Sequence, residues 1–288
     1  MQPVLQRLVD ILALEKLEET LFRGQSQDLG WGAVFGGQVL GQALSAASQT
    51  VPSDRTVHSL HSYFLRRGDA NKPIIYDVDC IRDGRGFTTR RVVAIQNGKA
   101  IFNMSASFQV EEPGFEHSDE GPGDVRGPDG LLSERQLAQR IADQIPQPLR
   151  EMAVAERPIE LRVIGSSNPL KPDLRPPTKQ LWMRASDTLP DDPALHRYLL
   201  AYASDFQFLT TALQPHGASW LSPKMQVASI DHAMWFHRPL RMDDWLLHVI
   251  DSPSASGARG LVTGKVFDRQ GRLVASTAQE GLMRRKSL

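Results

Sequence analysis

A carboxylate, a hydroxyl and an amide interrupt otherwise apolar runs: Asp205 in "AYASDFQFL", Ser229 in "QVASIDHAMWFHRP" and Gln279 in "ASTAQEGLM". At ~100° per residue, Leu195, Leu199, Tyr202, Phe206 and Leu209 cluster on one helix face, and Asp205 falls roughly 80° from the centre of that stripe. A carboxylate at the edge of a core face costs stability unless it is paired or hydrogen-bonded. It is either a functional acid or a solvated one on the helix flank. Ser229 shares a strand with His232, by type a nucleophile and its base. Alternation at a period of two puts Ser229 on the face of Asp231 and opposite His232, which argues against a covalent mechanism. The plainer reading is a strand serine bonded to backbone. Gln279 sits in a small, apolar final strand, where an amide commonly satisfies neighbouring backbone.

Two further groups are candidates by type. Gly36 and Gly37, just before a helix, could present backbone N–H groups as an anion or oxyanion site, or form a plain helix-entry turn. His58 and His61 in "VHSLHSYF" invite a metal reading, but they have no acids beside them and read more simply as structural.

These side chains must be carried by elements that the periodicity reveals. "FGGQVLGQALSAASQT" predicts a helix from about Gly37, with Val39, Leu40, Ala43, Leu44 and Ala47 in one stripe. Strands follow: "IIYDVDCI", "FTTRRVVAI" and, after the Asn97-Gly98 hairpin signal, "AIFNMSASF". "EEPGFEHSDEGPGDVRGPDG" has no periodicity and predicts an exposed linker, with a short helix after it capped by Ser133. Then the pattern returns. "PDDPALHRYLLAYASDFQFL" predicts a second helix with Asp192 as N-cap and Pro193 first, again followed by a meander of strands. Phe64 matches Phe236, and Gly98 matches Gly271, at a nearly constant offset of ~172 residues. The predicted fold is therefore α+β, a double hotdog: two antiparallel curved sheets, each wrapped around a helix that needs covering. The implied organisation is an N-terminal unit over 1–111, a linker over 112–157 and a C-terminal unit over 158–288.

What is missing narrows the chemistry. No G-x-S-x-G elbow, G-x-G-x-x-G turn, P-loop, H-E-x-x-H or paired C-x-x-C occurs, so no metal, dinucleotide or other cofactor is implied. The 33 basic and 33 acidic residues cancel, which removes the bulk electrostatic case for a nucleic acid partner. Cys80 is the sole cysteine, so no intramolecular disulfide can form. The N-terminal stretch is amphipathic rather than a signal peptide, and no run is long enough to span a bilayer. The terminal "RRKSL" holds the letters of the S-K-L address in the wrong order. A cytoplasmic protein without stable membrane anchoring is the expectation.

"LFRGQSQDLG", "VFGGQVLGQAL", "VHSLHSYFLR", "YASDFQFL", "SIDHAMWFHRP" and "STAQEGLMR" together resemble the acyl-CoA thioesterase II family over nearly the whole chain, most weakly around 112–157. The resemblance implies a double hotdog that hydrolyses acyl-CoA to fatty acid and coenzyme A. It places the family's catalytic aspartate, hydroxyl residue and glutamine on Asp205, Ser229 and Gln279. Bacterial members often carry threonine where this chain has Ser229. The implied mechanism is direct hydrolysis, with Asp205 as base, Ser229 and Gln279 holding the water, and backbone N–H groups near Gly36, Gly37 and Gln38 stabilising the oxyanion. The competing readings are a hotdog hydratase or dehydratase and a non-catalytic acyl-CoA binding protein. Sheet edges left by each half make a homo-oligomer, dimer or tetramer, plausible. The first half has no obvious copy of the Asp–Ser–Gln set, so one active site per chain is expected.

Overall fold

Two apolar helices need covering, and in the computed structural model one continuous sheet covers both. The structure describes residues 1–285 except Trp31 and Pro148; Lys286, Ser287 and Leu288, in the stretch read above as no S-K-L address, lie outside the described residues. The helices are α1 (Pro3–Leu12), α2 (Gly36–Ser48), α3 (Glu134–Arg140), α4 (Leu149–Val154), α5 (Pro193–Ser204) and α6 (Phe208–Leu213). The strands of the first half are β1 (Glu15–Lys16), β2 (Leu21–Gly24), β3 (Arg55–Phe64), β4 (Ile74–Asp83), β5 (Phe87–Gln96) and β6 (Lys99–Val110). Those of the second are β7 (Ile159–Val163), β8 (Thr178–Ala185), β9 (Met225–Ser229), β10 (Asp231–Phe236), β11 (Leu246–Ser256), β12 (Arg259–Phe267) and β13 (Leu273–Arg285).

The sheet runs β1-β2-β4-β5-β6-β3-β10-β13-β12-β11-β8-β7, with β9 paired separately to β13. The expected pair of sheets is thus joined into one through antiparallel β3 and β10. The physical reason is the edge: each strand would otherwise present a row of unpaired N–H and C=O groups. His61 pairs with Ala233, the position one sequence repeat later, so an internal pseudo-twofold passes between them. The order on either side mirrors accordingly. Asn97 and Gly98 both take positive φ in the first hairpin, as an Asn-Gly turn requires, and Gly271 does so at the matching place.

On the concave side α2 packs on α5, and the contact is close because glycines allow it. A Cβ on Gly37 would lie 2.2 Å from the Tyr202 carbonyl oxygen, and one on Gly41 3.1 Å from that of Tyr198. Polar groups inside α2 cap its neighbour. Gln42 Nε2 donates to the Ile11 carbonyl (2.8 Å) and Ser45 Oγ to that of Leu12 (2.8 Å), satisfying carbonyls that α1 leaves free at its C-terminus.

Two expectations change. The linker is not free of the body: Val125 and Leu131 pack on an outer-face cluster of Trp182, Trp245, Leu247, Phe267 and Leu273, and Trp182 Nε1 donates to the Arg126 carbonyl (2.9 Å). The second helix does not run through Leu209. Asp192 caps it and Pro193 opens it as expected, but it stops at Ser204. Asp205 is its C-cap, and Gln207 at φ 67° turns the chain into α6. Asp205 therefore stands on a helix end, not on a helix flank.

Candidate active site

The alternation rule misplaces Ser229 because the strand is not regular. β13 pairs Gly281 with Ser229 and Ala278 with Ala233, so three residues, Ile230 to His232, oppose two, Gln279 and Glu280. This is a β-bulge, and one extra residue reverses the side-chain parity. Ser229 and His232, expected on opposite faces, both turn inward and both bond Gln279. Asp231 staples the bulge by accepting the Glu280 backbone N–H at 2.6 Å.

At the C-terminal end of α5 the three sequence candidates meet. Ser229 Oγ donates to Asp205 Oδ1 at 3.2 Å, and Gln279 Nε2 donates to Ser229 Oγ at 2.8 Å. Gln279 and the Gly37 N–H also stand close enough to the Asp205 carboxylate to favour its charged form. Burial pushes the Asp205 carboxyl up to about 6, against the opposing pull of hydrogen bonds from Gln279, Ser229 and Gly37. The residue keeps a strip of surface, and that strip opens into a cavity of about 1140 Å³ that Gly36, Ser229 and Gln279 also line. A carboxylate held by neutral donors, desolvated and facing a cavity can accept a proton near neutral pH.

The other candidates separate. Gly36 lines the cavity, and a Cβ there would lie 2.6 Å from Asp205 Oδ2. The Gly37 N–H is turned to the Asp205 carboxylate and favours its charged form. Gln38 is engaged elsewhere: its N–H donates to the Phe35 carbonyl (3.0 Å), and its buried side chain accepts from the Gln27 N–H (3.0 Å). It is therefore not a free oxyanion donor. His58 Nε2 lies 2.8 Å from Ser107 Oγ, and His61 meets the Trp235 ring edge-on. Among the described residues no group of three or more His, Cys, Asp or Glu is placed to hold a metal ion, and no helix is long and apolar enough to cross a membrane.

Sequence reasoning missed two contributors. His232 bonds the far side of Gln279 through Nδ1. The connecting segment forms much of the cavity wall, with Leu137, Ile141, Ile145 and Leu149 among its linings. Their helical spacing in a stretch read only as a connection was the available signal. Glu134, first residue of α3, accepts from Gln207 Nε2, while Lys179 Nζ donates to Gln207 Oε1 (2.8 Å) and Thr210 Oγ1 (2.7 Å). Burial raises the Glu134 carboxyl and lowers the Lys179 ammonium to about 8, the latter against the pull of Glu134.

Known proteins share both the fold and the sequence. Residues 26–109 match the model of an acyl-CoA thioesterase N-terminal domain, and residues 148–282 that of acyl-CoA thioesterase. Acyl-CoA thioesterase 2 of Haemophilus influenzae is 46% identical over 99% of this chain and 99% of its own. Human acyl-coenzyme A thioesterase 8 is 40% identical over 96% of this chain and 88% of its own. The crystal structure of an acyl-CoA thioesterase II from Mycobacterium marinum superposes with a TM-score of 0.78 at 41% identity, covering 97% of this chain and 99% of that one. A hotdog-fold protein from Alicyclobacillus acidocaldarius, 20% identical, shares the fold at a TM-score of 0.77 over 98% of this chain and 99% of that one. Likeness of this degree, end to end, makes the chain a member of the acyl-CoA thioesterase II family and an enzyme that hydrolyses thioesters.

Proposed function

We propose that the chain hydrolyses medium- to long-chain fatty acyl-CoA, with broad preference, to free fatty acid and coenzyme A, by direct attack of water and without a covalent intermediate. One observation carries the reading: Ser229, Gln279 and the Gly37 N–H converge on a single desolvated carboxylate, Asp205, in a cavity wall. Asp205 takes a proton from water as its oxygen attacks the thioester carbonyl, and Ser229 and Gln279 hold that water in line. The oxyanion falls to the Gly36 N–H at the mouth of α2, since Gly36 lines the cavity while the Gln38 N–H is bonded to Phe35. Collapse of the tetrahedral intermediate breaks the carbon–sulfur bond. The departing thiolate needs no acid, and the proton on Asp205 returns to solvent.

The acyl preference is supported by size and lining. About 1140 Å³ lies just above the ~300–1,000 Å³ usual for small-ligand sites, and the walls are largely apolar. The division into hotdog units over 1–111 and 158–288, a linker over 112–157, one active site per chain, a cytoplasmic location and a homo-oligomer belong to the same reading. Thiol release from acyl-CoAs of graded length, with Asp205→Asn beside the wild type, tests it. Release that grows with chain length and is lost by orders of magnitude in a folded Asp205→Asn supports it. Near-normal release in that variant removes Asp205 as the base. Binding of every chain length without any release moves the chain to a hydratase or a binding protein.

A further inference from the structure

His232 is fully buried beneath this site and belongs to no step described so far. Its Nδ1 lies 2.5 Å from Gln279 Oε1, its Nε2 lies 2.9 Å from Ser204 Oγ, and the Phe208 ring packs beside it at a tilt, 5.7 Å between centroids. Ser204 immediately precedes Asp205, so the helix end that carries the carboxylate also carries the far partner of the imidazole. Burial holds the His232 pKa down at about 4, so at neutral pH the ring has one proton, one donor nitrogen and one acceptor.

Gln279 has a choice that its shape does not make. A carboxamide turned over occupies the same space, but it exchanges an acceptor for a donor at each end. In the observed orientation the NH2 group faces Ser229 Oγ and the Asp205 carboxylate, leaving the Ser229 hydroxyl proton free to donate to Asp205 Oδ1. Turned over, the amide oxygen would face the carboxylate and compete with it for the Ser229 proton. Asp205 would lose the donor from Gln279 and share the one from Ser229.

We propose that His232 is a positioning residue for the hydrolysis: its Nδ1–H donates to Gln279 Oε1 and fixes the carboxamide with its NH2 toward Ser229 and Asp205. Ser204 Oγ lies 2.9 Å from both Nε2 and the Ala201 carbonyl and has one proton to give; in the Nδ1–H form that proton turns to Nε2. Every donor in the chain from Ser204 through His232, Gln279 and Ser229 then points toward Asp205. The bulge makes this possible, because the extra residue between β9 and β10 lets Ser229 and His232 bond the same side chain of β13. The inference rests on reading Asp205, Ser229 and Gln279 as the hydrolytic set.

Two measurements on the full-length protein test it. With nitrogen-15 in the histidines, long-range proton–nitrogen correlation reads the His232 tautomer without reference to activity, and His232→Asn assigns its signal by loss. The expected ring is protonated on Nδ1 between about pH 6 and 8, well above its lowered pKa; a ring protonated on Nε2 overturns the proposal, because Nδ1 would then need the amide reversed. In kinetics, His232→Leu removes the donor, whereas His232→Asn returns an N–H near the position of Nδ1. The expected result is a kcat on the order of 10- to 100-fold lower for His232→Leu, at little change in KM, with His232→Asn recovering most of it. A folded His232→Leu with wild-type kcat overturns the proposal. Absence of thiol release from the wild type would overturn the functional reading instead, and the tautomer measurement keeps the two failures apart.

Discussion

Asp205 acts only when ionised, so its raised pKa sets the acid limit of the reaction. With the carboxyl at about 6, kcat/KM is expected to be level above about pH 7 and to fall roughly tenfold per unit well below pH 6. The same shift has a cost in stability. The folded-state value lies above the ordinary 3.8, so between about pH 4 and 6 the folded chain holds a proton that the unfolded chain has released. Stability is therefore lost as pH rises through that window, by at most about 3 kcal/mol at ~1.36 kcal/mol per unit. Asp205→Asn should consequently raise the melting temperature more at pH 8 than at pH 4, while turnover collapses. Equal effects at both pH values would mean that the carboxyl is not desolvated. Gly36 supplies a second check at this scale. A methyl group there would meet Asp205 Oδ2 at 2.6 Å and the Phe64 ring at 3.1 Å, so the carboxylate must move. Displacement by a fraction of an ångström to an ångström is expected to cost Gly36→Ala up to about 100-fold in kcat, with the fold intact by circular dichroism.

Among the elements, α3 is a lightly held part of the site. None of its residues is fully buried, and it is fixed by the Ser133–Gln136 capping box, the Arg135 Nε bond to the Val154 carbonyl (3.0 Å) and the bond between Glu134 and Gln207. That bond also ties down a non-glycine residue at positive φ, a conformation costing roughly 1 kcal/mol or more. Glu134→Ala should loosen the cavity wall: KM for long acyl-CoAs should rise severalfold, kcat for short ones should hold, and limited proteolysis should cut the linker sooner. Unchanged KM across the length series would mean that α3 does not contact the acyl chain. How far such features were legible depends on the range of the signal. Asp205, Ser229 and Gln279 stand out locally, as polar side chains in apolar runs. His232 did not, because the bulge that turns it toward Gln279 depends on a three-against-two register between strands ~50 residues apart. The end of α5 was missed because no glycine or proline marks it; the chain turns on Gln207, whose side chain finds partners on α3 and β8.

For the whole molecule, the repeat was visible but its closure was not. Two similar halves suggest two units, whereas α2 packs on α5, β3 pairs with β10, and one apolar cluster runs from Leu5 to Ala275 through both. A unit cut from its partner would expose α2 or α5 along one side and leave a central strand as an edge. The halves are therefore expected to unfold together. Cys80, exposed on β4 and the sole cysteine, takes a fluorophore that reports on the first half. Four of the five tryptophans, Trp182, Trp220, Trp235 and Trp245, lie in the second half, so intrinsic fluorescence reports chiefly on it. Denaturant curves from the two probes should coincide, and two separated midpoints would show independent units. Gly37→Ala sharpens the test, because its methyl group would lie 2.2 Å from the Tyr202 carbonyl oxygen and force the central helices apart. If the halves share one core, that single change should lower both midpoints equally, by an amount corresponding to about 1–3 kcal/mol. If they do not, the probe on Cys80 should shift alone, since the methyl group sits in the first half.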